Sequence, residues 1–103
     1  MQLRPIALAV TLALAAAGAQ AAVSGGVVKI GVLTDLSGTY ADLAGSGAVL
    51  ATQMAIDDFI AKEKPSFKVE MLTADHQNKA DIASNKAREW FEREGVDTAT
   101  ELV

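Results

Sequence analysis

The run Val27-Val28-Lys29-Ile30-Gly31-Val32-Leu33 is apolar or small at nearly every position. Successive strand residues point to opposite faces, so such a run has both faces covered. That restricts the fold: a doubly covered strand belongs to a parallel sheet with helices on each side. A polar, glycine-containing loop follows over residues 34–42, and then a long helical pattern begins between Asp42 and Ser46. At 100° per residue, Ala48, Val49, Thr52, Ala55, Ile56, Phe59 and Ile60 share one broad face. Leu50 and Met54 fall opposite and read as ordinary exposed apolar side chains. Lys62, Lys64 and Pro65 end the helix, the lysines suiting its negative terminus and the proline unable to continue it.

The unit then repeats once. Residues 67–74 read as a second strand at or near a sheet edge, and residues 75–78 as a second loop. Asn78 is placed to cap a helix over residues 79–94, with Asp81 three positions on. Ala80, Ala83, Ser84, Ala87, Trp90 and Phe91 share a face of that helix, and Gly95 suits the position just past its end. A third strand is expected from Val96, although Thr98, Thr100 and Glu101 make it a poor buried one. The pattern is β-α-β-α, which predicts an α/β fold: the start of a parallel-sheet lobe with right-handed crossovers.

Residues 1–21 read as a signal peptide. Arg4 supplies the positive n-region, an Ala/Leu-rich run covers residues 6–17, and Ala19-Gln20-Ala21 is a small-residue cleavage site. The run is short of the ~20 apolar residues a membrane span requires. Cleavage near Ala21 would leave residues 22–103 as one partial lobe, free in the periplasm or outside the cell. The chain has no cysteine, which excludes a lipid anchor on that residue, disulfides and cysteine-based metal sites. Its formal net charge of −4 provides no basic footprint for nucleic acid or anionic membrane.

Catalytic chemistry has little support in the residues. His76 is the single histidine and reads as a solvated loop residue; Ser37, His76 and Asp35 could be drawn as a triad, but no G-x-S-x-G elbow is present. Gly45-Ser46-Gly47 begins like a dinucleotide fingerprint but lies about ten residues beyond the strand, where the phosphate turn does not belong. Asp75, at the end of the second strand, is the one feature in its favour. Asp57 and Asp58 are adjacent on a helix and point about 100° apart, so they do not converge. The first loop differs. Ser37 offers a hydroxyl, Gly38 allows close approach to backbone, and Tyr40 offers an aromatic face and a hydroxyl. It sits at the carboxyl end of a parallel strand and runs toward a helix N-terminus, which attracts carboxylates. On residue types alone it reads equally as a ligand-contacting loop or a plain solvated one.

The segments Lys29-Ile30-Gly31-Val32-Leu33, Asp35-Leu36-Ser37-Gly38-Thr39-Tyr40-Ala41, Gly45-Ser46-Gly47 and Met54-Ala55-Ile56-Asp57-Asp58-Phe59 occur in that order. With Thr73-Ala74-Asp75-His76-Gln77-Asn78-Lys79 and Arg88-Glu89-Trp90, they resemble the N-terminus of periplasmic solute-binding proteins serving branched-chain amino acid (Leu/Ile/Val-type) ABC importers. The resemblance implies a type I periplasmic-binding-protein fold, in which two α/β lobes close on one small solute. It implies no enzymatic activity and no cofactor. The implied partners are an amino acid, amide or small carboxylic acid and an ABC permease. It implies Ser37, Gly38 and Tyr40 as ligand-binding residues, with Tyr40 as aromatic wall or hydroxyl partner. Family members run to several hundred residues, and their main carboxylate and ammonium contacts lie outside the part matched here. The expectation is therefore a truncated or frameshifted N-terminal fragment that binds nothing tightly alone. Two other readings stand beside it: an exported α/β enzyme fragment using Asp75 and His76, and a small interaction module pairing through an open sheet edge.

Overall fold

The computed structural model describes residues 23–102. The signal-peptide reading of residues 1–21 lies outside them. A short 3-10 turn, Ser24–Gly26, leads into β1, Val27–Thr34. A single helical turn, α1 (Ala41–Ala44), precedes the long helix α2 (Ser46–Glu63). Strand β2 (Lys68–Asp75), helix α3 (Ala80–Arg93) and the short strand β3 (Thr98–Thr100) complete the described elements.

The sheet is parallel throughout, in the order β2-β1-β3. β1 pairs with β2 along its whole length, from Val27 opposite Lys68 to Thr34 opposite Asp75. β3 pairs with β1 only from Ile30 opposite Thr98 to Val32 opposite Thr100. The third strand thus forms later and shorter than a start at Val96 predicts. Val96 instead enters the core, 5% exposed, beside Leu33 and Trp90.

The order dictates where the helices go. A right-handed crossover from β1 to β2 and another back across β1 to β3 must use opposite faces of the sheet. Gly31 and Leu33 face α3, whose Ala83, Ala87 and Trp90 meet them together with Leu72 and Ala74 of β2. Val28 and Ile30 face α2, through Thr52, Ala55, Ile56 and Phe59. β1 is therefore covered on both sides, as its composition requires. On the α2 side the cover is looser. Ile56 is buried, but Phe59 and Ile60 stay more than one-third exposed and a cavity of about 390 Å³ separates helix from sheet. Phe59 stacks on Phe67 at 6.4 Å between centroids, closing one end. Leu50 and Met54 are exposed, as their position opposite the sheet predicts.

Lys29 fastens the far end of β1. Its ammonium donates to the Glu94 carbonyl at the C-terminus of α3 (2.9 Å), where a cation opposes the helix dipole. Its amide donates to Asp97 Oδ2 (2.8 Å), and its carbonyl accepts the Asp97 N–H (2.9 Å). The start of α3 differs from expectation. Asn78 does not cap it: with φ +54° it lies in the left-handed region, next to Gln77 at φ +56°. A cap residue needs extended backbone. Lys79 has that conformation and supplies no side-chain bond. Residues 76–79 form a tight turn closed by the Lys79 N–H on the His76 carbonyl (2.9 Å), with both central residues left-handed as in a type I′ turn.

Candidate functional site

The first loop leaves the carboxyl end of β1, and its shape is set by two carboxylates, one buried and one half-exposed. Asp35 is fully buried. Its Oδ1 accepts the N–H groups of Ser37 (3.3 Å) and Gly38 (2.6 Å), and its Oδ2 accepts that of Tyr40 (2.9 Å). Three charge-assisted bonds satisfy a group that would otherwise be costly to bury. Gly38 is required by this arrangement. A Cβ there would stand 2.6 Å from Asp35 Oδ2 and 2.7 Å from Oδ1. The close approach that the glycine permits is thus to the carboxylate of its own loop.

Asp75 performs the second anchoring from the neighbouring strand. It is paired with Thr34 at the carboxyl end of the sheet. Its Oδ1 accepts the Leu36 N–H (2.9 Å) and the Gln77 N–H (2.9 Å), while Oδ2 accepts the Ser37 hydroxyl (2.6 Å). One side chain therefore ties both βα loops together. The Ser37 hydroxyl bond, and then the Leu36 amide, hold the Asp75 carboxyl below its ordinary range.

Ser37, Gly38 and Tyr40 are brought together on this loop and all are solvent-exposed. Tyr40 is 44% exposed, so much of its ring is open to contact. Four of the loop's amides are already committed. The N–H groups of Leu36, Ser37, Gly38 and Tyr40 are all directed at Asp35 or Asp75.

His76 is buried, 3% exposed, and is not the solvated residue expected from its loop position. Its Nδ1 accepts the Asn78 N–H (3.0 Å), which places the ring proton on Nε2. Nε2 is buried without a partner among the described residues. The ring borders an open cavity of about 460 Å³ whose walls include Asn78, Ala83, Ala87 and Leu102. The side chains of Ser37, His76 and Asp35 make no hydrogen bond to one another, the Ser37 hydroxyl going to Asp75 instead, so the triad does not assemble. Among the described residues no group of three or more acidic or imidazole side chains converges in a way that could hold a metal.

A family model described as "Periplasmic binding protein" matches residues 27–103. The chain belongs to the periplasmic binding protein family. Two solved structures are similar to it. One is a branched-chain amino acid ABC transporter periplasmic ligand-binding protein from Burkholderia xenovorans LB400, 48% identical with a TM-score of 0.66. The other is a periplasmic binding protein from Burkholderia mallei, 50% identical with a TM-score of 0.67. Each alignment covers 74% of this chain but only 20% of the solved one. The chain therefore spans about a fifth of the length of these relatives. No curated protein matches it. Among the described residues no helix is long and apolar enough to cross a membrane.

Sequence reasoning singled out Ser37, Gly38 and Tyr40 but missed the residues that hold them. Asp35 carried a signal: an aspartate followed by glycine three positions on is a common side-chain-organised turn. Asp75 carried none for this role, because the partners it holds in the first loop, Leu36 and Ser37, lie far from it in sequence.

Proposed function

We propose that this periplasmic binding protein sequence forms one wall of the solute cleft of an extracytoplasmic substrate-binding component of an ABC importer. The solutes are branched-chain amino acids or related small amides and carboxylates, and the membrane partner is the importer's permease. Ser37, Gly38 and Tyr40 are the ligand-binding residues, and the protein acts in the periplasm after signal cleavage near Ala21. One observation carries the reading: an exposed loop bearing Tyr40 is fixed at the carboxyl ends of β1 and β2, where open α/β sheets hold ligands. The Burkholderia xenovorans branched-chain amino acid transporter ligand-binding protein, 48% identical over 74% of this chain, supports the reading. Binding by such proteins comes from closure of one lobe on another around the solute. A single wall leaves the solute open to water, so this chain alone binds nothing tightly.

The test joins residues 27–103 to the rest of the Burkholderia mallei relative in place of its matching segment. Calorimetric titration with leucine, isoleucine, valine, benzoate and simple amides should give binding in the chimera and no resolvable heat with the chain alone. Tyr40→Ala in the chimera should weaken binding at least tenfold. A chimera that folds and binds equally well with Tyr40→Ala would remove the loop from the site.

A further inference from the structure

The second βα loop holds a hydrogen bond that is only half made. His76 is 3% exposed, and its proton is on Nε2 because Nδ1 accepts the Asn78 N–H. Nε2 meets no acceptor among the described residues. Buried donors are almost always paired, and an unpaired one carries its full desolvation cost. The ring lines the open cavity of about 460 Å³, together with Ala83 and Ala87 of α3 and with Leu102. Leu102 is 58% exposed, and Phe91, one turn beyond Ala87 on α3, is half exposed. An unfinished apolar surface thus surrounds an unsatisfied donor.

Only 20% of each solved relative is matched by this chain, so most of their folded body lies outside the matched segment. Leu102 stands in the cavity wall two positions past the end of β3. Main chain continuing from there starts at the cavity mouth, and the small side chains of Ala83 and Ala87 let a backbone come close. We propose that the cavity is the docking site for the main chain that follows β3 in the intact lobe, and that a backbone carbonyl of that segment accepts the His76 Nε2 proton. His76 thereby ties the second βα loop to the remainder of the lobe. This rests on membership of the family and not on the reading of Ser37, Gly38 and Tyr40 as cleft residues.

The experiment compares the chain alone with the chimera that joins residues 27–103 to the rest of the Burkholderia mallei relative, both with isotope-labelled histidine. The readout is solvent exchange of the His76 Nε2 proton, assigned by its loss in His76→Gln. Exchange should be slower in the chimera by about tenfold or more, the scale of one buried hydrogen bond. The ring should also show nuclear Overhauser contacts to residues beyond 103. Equal exchange in the two proteins overturns the proposal, since it leaves water or nothing as the acceptor. So does a ring without contacts beyond 103. A second measurement uses the absence of cysteine from the chain. Ser84, exposed on the cavity wall, becomes a single reporter thiol in Ser84→Cys. It should react freely with a thiol reagent in the chain alone and be shielded in the chimera. A thiol already shielded in the chain alone overturns the proposal, whatever the chimera does. A chimera that binds solute while the Nε2 proton exchanges as in the chain removes this inference alone. A chimera that protects the proton and binds nothing removes the cleft reading alone.

Discussion

The six-membered ring of Trp90 lies directly over the Cα of Gly31. A Cβ built on Gly31 would stand 2.6 Å from Trp90 Cε3, well inside van der Waals contact. The glycine in the middle of β1 is therefore the seat of the indole, and it lets α3 approach the central strand. Trp90 is 3% exposed and joins Leu33 and Val96 in the buried core on this face.

Gly31→Ala should accordingly destabilise the chain by about 1–3 kcal/mol, the usual cost of overpacking a filled core. Trp90→Ala should cost more, about 3–5 kcal/mol, because it removes the largest side chain of that face. Urea unfolding followed by Trp90 fluorescence measures the first, and far-ultraviolet circular dichroism the second. Equal midpoints for Gly31→Ala and the unsubstituted chain would show that the indole does not seat there.

The Asp35 turn makes a prediction about coupling. Asp35→Ala leaves three N–H groups without their acceptor and should cost about 1–3 kcal/mol. Gly38→Ala drives a methyl group into the same carboxylate and should cost a similar amount. The two are not independent: with the carboxylate gone there is nothing for the methyl to strike. The double variant should therefore be less destabilised than the sum of the single ones, by more than 0.5 kcal/mol on the scale of contacting pairs. Strict additivity in denaturation midpoints would argue against a carboxylate-centred loop.

How far the sequence carries can be judged from these same residues. The covering of β1 on both faces was legible because Val27–Leu33 is apolar in both registers, and the inward face of α3 was legible from Ala83, Ala87 and Trp90. Phe91 shares that face by spacing yet is half exposed, since it sits a full 100° beyond Trp90 at the rim. Asn78 was misread because asparagine favours both helix caps and left-handed turns. The choice is made by His76, whose Nδ1 holds the Asn78 amide in the turn. The exposed surface of Ser37, Gly38 and Tyr40 could be read from residue types. Its donors and acceptors could not, because Asp75 reaches that loop across the sheet, 38 positions away from Ser37.

Asp75 gives the loops a pH dependence of known sign. Hydrogen bonds from Ser37 and then Leu36 lower its carboxyl in the folded chain relative to the unfolded one. A group depressed in this way contributes stability above its unfolded range, and the contribution is lost as pH falls through the folded value. Acidification should therefore release the two loops from each other at a pH below the ordinary carboxylate range. Amide exchange at Leu36 and Gln77 should accelerate together with titration of the Asp75 carboxyl carbon signal. In Asp75→Asn that joint acid transition should disappear. Exchange that accelerates at the same pH in the variant would assign the transition to another group.

His76 tests whether its polarity or its volume matters. Its Nδ1 accepts the Asn78 N–H and so supports two successive residues with positive φ, while its Nε2–H is buried without a partner among the described residues. These features oppose each other: the first bond favours the left-handed turn, and an unsatisfied buried donor costs about 1–3 kcal/mol. Phenylalanine is close in volume and removes both features at once. His76→Phe should therefore change stability by less than about 1 kcal/mol, because the loss of the turn bond is offset by the loss of the orphan donor. His76→Ala removes the packing as well and should cost about 2–4 kcal/mol, in the range of large-to-small core substitutions. Paired thermal melts of the two variants separate the cases. A His76→Phe loss as large as that of His76→Ala would mean that Nε2 has a partner in solution and that the imidazole is kept for its hydrogen bonds.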